Sequence, residues 1–128
     1  MRKWCIIAAT WVAIAGFLGT TPARAAGEPA QAEDGVLVGP NGMTLYTFDK
    51  DPADGGKSVC NGPCATNWPP LAAAAEAKPV GDFAPITRDD GAMQWAYKGK
   101  PLYYWVKDQK RGDRTGDGFR DVWRLARP

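Results

Sequence analysis

The chain has no histidine, and Ser58 is its only serine. A hydrolase in which histidine activates a serine or cysteine nucleophile therefore cannot be assembled from it. A histidine-containing zinc site and haem attachment through Cys-x-x-Cys-His are excluded on the same ground. No glycine-rich phosphate loop follows an apolar strand, and no stretch of ten or more residues carries helical periodicity. These absences argue against an enzyme and for a module that acts by binding or by supporting an assembly.

The first 25 residues read as a signal peptide. Arg2 and Lys3 precede a mostly apolar run from residue 5 to 19, and Ala23-Arg24-Ala25 supplies an Ala-x-Ala cleavage site. The apolar run is shorter than the ~20 residues that span a bilayer. Cleavage between Ala25 and Ala26 would deliver a mature chain to the periplasm or the medium, with no later segment able to cross a membrane. Arg2, Lys3 and Arg24 leave with the signal, so the 16 basic and 14 acidic residues of the full chain become 13 and 14, a net charge of −1. Nucleic acid is excluded as a partner at that balance. The charge is unevenly placed. Residues 26–97 carry four basic and ten acidic groups, and residues 98–128 carry nine and four. Either the two regions attract one another within one fold, or Lys107, Lys110, Arg111, Arg114, Arg120, Arg124 and Arg127 face an anionic surface, lipid or acidic polysaccharide.

What the chain does have is a pattern used twice. Leu45-Tyr46-Thr47-Phe48-Asp49-Lys50-Asp51 returns 57 residues later as Leu102-Tyr103-Tyr104-Trp105-Val106-Lys107-Asp108. Each copy follows a glycine-containing turn and precedes an Asp/Gly-rich loop and a tryptophan, Trp68 or Trp123. Self-similarity at this period implies one supersecondary unit used twice, neither copy burying its apolar face alone. Short runs rich in Val, Tyr, Phe and Trp, bounded by Gly, Asp and Pro, predict strands at residues 35–39, 43–48, 83–87, 93–97, 102–106 and 119–125. The alanine-rich residues 71–77 have room for a turn or two of helix. The expected fold is all-β, a small sandwich or barrel of two pseudo-symmetric hairpin repeats (about 35–71 and 92–125) with long Asp/Gly/Pro loops. Together these make a single domain over 35–128, after a disordered leader at 26–34.

Three groups of residues carry chemistry. Cys60 and Cys64 remain as a pair in an oxidising compartment and read as a disulfide, since three residues separate them in a Gly-Pro loop that opens no evident helix. Closing so small a ring removes only about 2 kcal/mol of unfolded-state freedom. A thiol redox site, or a Cu(I) site completed by Met43 or Met93, is the alternative. Asp49, Asp51, Asp54, Asp113 and Asp117 lie in glycine-containing loops and are candidate calcium ligands, although their spacing departs from the EF-hand. Tyr46, Phe48, Tyr103 and Trp105, with Trp68 and Trp123, are candidate core. Trp68, Tyr97 and Tyr104 are candidates for exposed rings that stack on sugar or protein. Asp51 and Asp108, each just after a strand, suit a role as acceptors for loop N–H groups.

The doubled Tyr-x-Phe/Trp-x-x-Asp motif resembles the bacterial secreted repeat of unknown function, a family also described as predicted lipoproteins with a conserved Yx(FWY)xxD motif. Cys60-Asn61-Gly62-Pro63-Cys64, Trp68-Pro69-Pro70-Leu71, Lys98-Gly99-Lys100-Pro101-Leu102-Tyr103 and Trp123 extend the likeness over nearly the whole mature chain. The resemblance implies export and brings no established activity. It implies lipidation for many relatives, but here Cys5 lies near the start of the apolar run and Ala26 takes the first mature position, so no lipid anchor is expected.

The reading is an exported, disulfide-stapled binding or envelope-support module whose partner is an envelope protein or polysaccharide and which holds no cofactor, calcium excepted. A melt of residues 26–128, chelated and then in millimolar calcium, separates the alternatives. A rise of several degrees would make the acidic loops an ion site, because only a ligand of the native state stabilises it. The binding-module reading expects no shift.

Overall fold

The computed structural model describes residues 27–52 and 56–128. It is all-β, in small antiparallel sheets. β1 (Gln31–Glu33) pairs with β2 (Val36–Val38), β3 (Tyr46–Phe48) pairs with β7 (Trp123–Leu125), and β4 (Phe83–Thr87), β5 (Met93–Tyr97) and β6 (Lys100–Pro101) form a three-stranded sheet. One five-residue helix, α1 (Pro63–Asn67), and a 3₁₀ turn at Phe119–Asp121 are the helical pieces among the described residues. The sheets are thus smaller than the two layers of a sandwich and are knitted together by isolated bridges.

The two copies are related by a pseudo-twofold axis through their tyrosines. Tyr46 N–H donates to the Tyr103 carbonyl at 2.7 Å, and Tyr103 N–H returns the bond to the Tyr46 carbonyl at 2.9 Å. Equivalent residues thus form one antiparallel pair. Outward from this pair the copies exchange partners. Tyr46–Phe48 pairs with Trp123–Leu125 of the second copy, while Tyr103 bridges Pro70 of the first. A triangle of backbone bonds closes on each side of the axis. Leu37, Ala126 and Leu45 donate in turn around one triangle, and Trp95, Leu71 and Leu102 around the other.

Alternation along the strands separates two cores. Tyr46 and Tyr103 point into a cluster with Trp68, Trp105 and Trp123, while their neighbours Leu45 and Leu102 point into a second cluster with Leu37, Leu71 and Trp95. All four central residues are fully buried. At roughly 2 kcal/mol for each large side chain removed from water, the two clusters dominate the favourable side of folding.

Three local expectations are corrected. Gln31–Glu33, within the expected disordered leader, is strand β1, joined to β2 by Asp34-Gly35, both at positive φ, which is the two-residue turn that suits strand twist. Residues 71–77 form no helix: Ala73 N–H donates to the Met93 carbonyl at 3.0 Å, so Leu71 and Ala72 run alongside β5. The helix instead opens inside the cysteine loop, where Gly62 (φ 58°) lets the chain turn and Pro63 takes the first helical position. Pro69 then disfavours helix at Trp68. Residues 102–106 and 119–125 are also less regular than expected: the first makes bridges without a ladder, and the second opens with the 3₁₀ turn.

Because β3 pairs with β7 and Tyr46 with Tyr103 across the copies, each copy depends on the other for its central pairing. Residues 26–78 or 79–128 made separately are expected to lack a cooperative melt. Mixed in equal amounts, they should recover the strand circular dichroism and a single transition.

Candidate functional site

The cross-copy pairing sets a buried polar lock on each side of the axis. Tyr46 O–H donates to Asp108 Oδ2 at 2.6 Å, and Tyr103 O–H donates to Asp51 Oδ2 at 2.5 Å. The motif's tyrosine therefore bonds the aspartate of the other copy. The second carboxylate oxygen in each case receives a loop N–H, Val59 to Asp51 at 2.7 Å and Thr115 to Asp108 at 3.0 Å. The expectation that Asp51 and Asp108 anchor loops is seen directly; their tyrosine partners were not anticipated.

The first lock is longer. Arg88, only 4% exposed, donates to Ser58 Oγ at 3.0 Å and to Gln94 Oε1 at 2.7 Å. The Tyr103 proton is committed to Asp51, so the Ser58 hydroxyl must donate to Tyr103 Oη, at 2.6 Å. Hydrogen bonds thus run one way, from a buried cation through Ser58 and Tyr103 to a buried anion. Burial raises the Asp51 pKa, opposed by its bonds from Tyr103 and Val59 and by the charge of Arg88. Burial, followed by the bond to a carboxylate, drives both phenols, Tyr46 and Tyr103, well above the ordinary tyrosine value.

Above the locks stands a column of rings. Trp68 and Trp123 stack at 3.8 Å with 5° between planes, Trp105 stacks on Trp68 at 4.0 Å, and Phe48 stacks on Trp123 at 4.3 Å. The order Trp105, Trp68, Trp123, Phe48 repeats the pseudo-symmetry, each outer ring coming from the copy opposite to its inner neighbour. Gly116 is glycine for this reason: a Cβ there would lie 2.7 Å from the Trp68 ring. Trp68, a candidate both for the core and for an exposed ring, is 3% exposed at the centre of the column. Tyr97 and Tyr104 are half-buried, Tyr97 against Phe83 and Tyr104 in the leucine cluster, where burial raises its pKa.

A groove of about 360 Å³ runs over this column. Its walls are equivalent elements, α1 from the first copy and the 3₁₀ turn from the second, with the half-buried Cys64 at one edge. Cys60 and Cys64 are joined as a disulfide with Cα atoms 5.2 Å apart, and Trp68 N–H donates to the Cys64 carbonyl at 2.8 Å, so the staple positions the central ring. Lys50 and Arg120 are the only charged residues in the lining. Arg120 and Asp121 both hold positive φ, 51° and 58°, at about 1–2 kcal/mol each. The indole N–H groups of Trp68, Trp105 and Trp123 have no partner among the described residues, and none is counted as a buried unsatisfied donor. The groove is lined by aromatic rings and positive charge, with no carboxylate in its lining.

The acidic loops do not converge. Asp49 pairs with Arg124 at 3.1 Å, Asp113 accepts the Gln109 and Lys110 N–H groups, and Asp117 accepts from Leu125 at 3.4 Å. Those backbone bonds, Gln109 first, lower the Asp113 pKa. Asp54 lies outside the described residues, and among the described residues no three of His, Cys, Asp and Glu are placed to hold a metal. The basic C-terminal region is partly engaged with the acidic one: Arg111 pairs with Glu33 at 3.0 Å, and Arg114 donates to the Asp34 carbonyl at 3.0 Å. Lys50, Lys98 and Lys100, which the sequence did not single out, carry no ion pair among the described residues.

The secreted repeat of unknown function matches this chain twice, over residues 29–72 and 84–127. The chain belongs to that family. The first matched segment begins just before β1 and the second within β4, so each copy takes in a strand ahead of its motif. No curated protein and no solved structure matches it. The leader at residues 1–25 lies outside the described residues, and among those described no helix is long and apolar enough to cross a membrane.

The locks set two expectations. Tyr103→Phe strands Asp51 and the Ser58 hydroxyl, and Tyr46→Phe strands Asp108 and the Gly116 N–H. With about 1–3 kcal/mol for each unsatisfied buried group, each substitution is expected to lower the melting temperature by roughly ten degrees or more. Since folded-state pKa values raised at both phenols add stability that is full below pH 10 and fades as pH rises through them, alkaline unfolding and phenolate absorbance at 295 nm should coincide for these residues. Their ionisation in a still-folded protein would contradict the locks.

Proposed function

We propose that this exported family member is a non-catalytic recognition module whose ligand lies in the groove over the tryptophan column. The observation that carries the reading is the lining: Trp68, Trp105 and Trp123 with Lys50 and Arg120, and no carboxylate opposing them. A cationic groove over an aromatic floor selects a negatively charged ligand with apolar faces to cover the rings. A uronic-acid sugar of an envelope polysaccharide combines these properties. A role in the periplasm or at the cell surface accords with the leader sequence and with the family's description as secreted.

The absence of histidine and the engagement of the buried carboxylates as hydrogen-bond acceptors both support binding without turnover. The strained backbone at Arg120 and Asp121 supports the same location, since such strain persists where surrounding structure holds a side chain in a required place.

Titration of the mature protein with trigalacturonate is expected to change its tryptophan fluorescence saturably, and maltotriose, which lacks carboxylates, should not. Lys50→Ala combined with Arg120→Gly should weaken the response at least about tenfold, or ~1.4 kcal/mol. The melt should not fall, because glycine relieves the positive φ at 120. An unaltered response in the double variant would remove the groove as the site.

A further inference from the structure

A second groove, about 350 Å³, lies on the other side of the β3–β7 pair. Alternation sets the geometry: Phe48 and Trp123 face the tryptophan column, so Thr47 and its partner Arg124 face away from it. The second groove is lined by Thr47 and Arg124, by Tyr97, Lys98 and Lys100 of the β5–β6 hairpin, and by Arg127. Asp49 is the single acidic residue in the lining and is already paired with Arg124. Four cations against one carboxylate leave a net charge of +3 on a chain whose mature total is −1. Lys98 sits at positive φ (49°) in the two-residue turn with Gly99, and its ammonium lies 5.2 Å from the centre of the Tyr97 ring. A concave wall fits a strand better than a flat bilayer, and the ring of Tyr97 beside the lysines suits the apolar face of a sugar.

We propose that this groove is a second polyanion site, taking the carboxylates of an acidic polysaccharide, so that one molecule holds a strand on each face of the β3–β7 pair. The bridging rests on the reading of the tryptophan groove given above; the cationic groove contributes the second strand. A support role in the envelope then follows from cross-linking.

Polygalacturonate is the probe, with light scattering reporting cross-links and tryptophan fluorescence reporting the first groove. The wild-type protein is expected to raise scattering and change fluorescence together. Lys98→Ala with Lys100→Ala, both exposed and outside the cores, should lose the scattering rise and keep the fluorescence response and the melt. Lys50→Ala with Arg120→Gly should lose both signals. A fluorescence response without scattering in the wild type, or undiminished scattering in the Lys98/Lys100 variant, would overturn the second site and leave the first intact. No fluorescence response to any uronate would overturn the first reading, and the bridging with it. Stronger scattering with poly(glycerol phosphate) or with anionic vesicles would overturn the assignment to a uronate strand.

Discussion

The reciprocal bond between each tyrosine and the aspartate of the opposite copy is the constraint on which the rest depends. A phenol and a carboxylate buried together are tolerable only when each satisfies the other and the second carboxylate oxygen is also engaged. Here that requirement is met twice, at 2.6 and 2.5 Å, with a loop N–H closing each carboxylate. The locks thereby fix where two long loops leave the sheet. Those loops in turn deliver Trp68 and Gly116 to the column, and the column floors the groove. A polar contact at the centre sets the position of an aromatic surface at the rim.

Symmetry is kept where packing demands it and abandoned where charge is placed. The tyrosine pair, the backbone triangles and the four-ring column match across the axis. Around the locks the copies part. Ser58, Arg88 and Gln94 extend the first into a chain ending on a buried cation, while Thr115 and Gly116 complete the second with a hydroxyl and a backbone amide. On the surface, Arg120 in the second copy has no counterpart of like charge in α1. Charge therefore does not repeat where the scaffold does.

Much of this was legible in the residues. The 57-residue offset, the strand-forming runs and the paired cysteines led to an all-β fold of two repeats, and the buried tyrosines and Trp105 lie where the motif placed them. The exchange between copies was harder to see, because the motif places a tyrosine and an aspartate in each copy without saying that each bonds the one opposite. Trp68 was left between core and surface because a tryptophan followed by two prolines looks like a loop residue; the column shows that its ring is central. The lysines of the second groove stayed hidden because they are separated in sequence from Arg124 and Arg127 and meet only when the β5–β6 hairpin lies beside β7. Strand β1 was missed because Gln31–Glu33 has no large apolar side chain and owes its form to pairing with β2.

The antiparallel tyrosine pair on the axis has a consequence for ancestry. A chain with only one copy of the motif could satisfy the same bonds only by associating with a second molecule of itself, as an isologous dimer does. Joining two copies in one chain makes that association intramolecular and independent of concentration. It also frees the halves to differ: a symmetric dimer must carry every surface charge twice, whereas the fused chain can place Arg88 under one lock and Arg120 beside one edge of the groove.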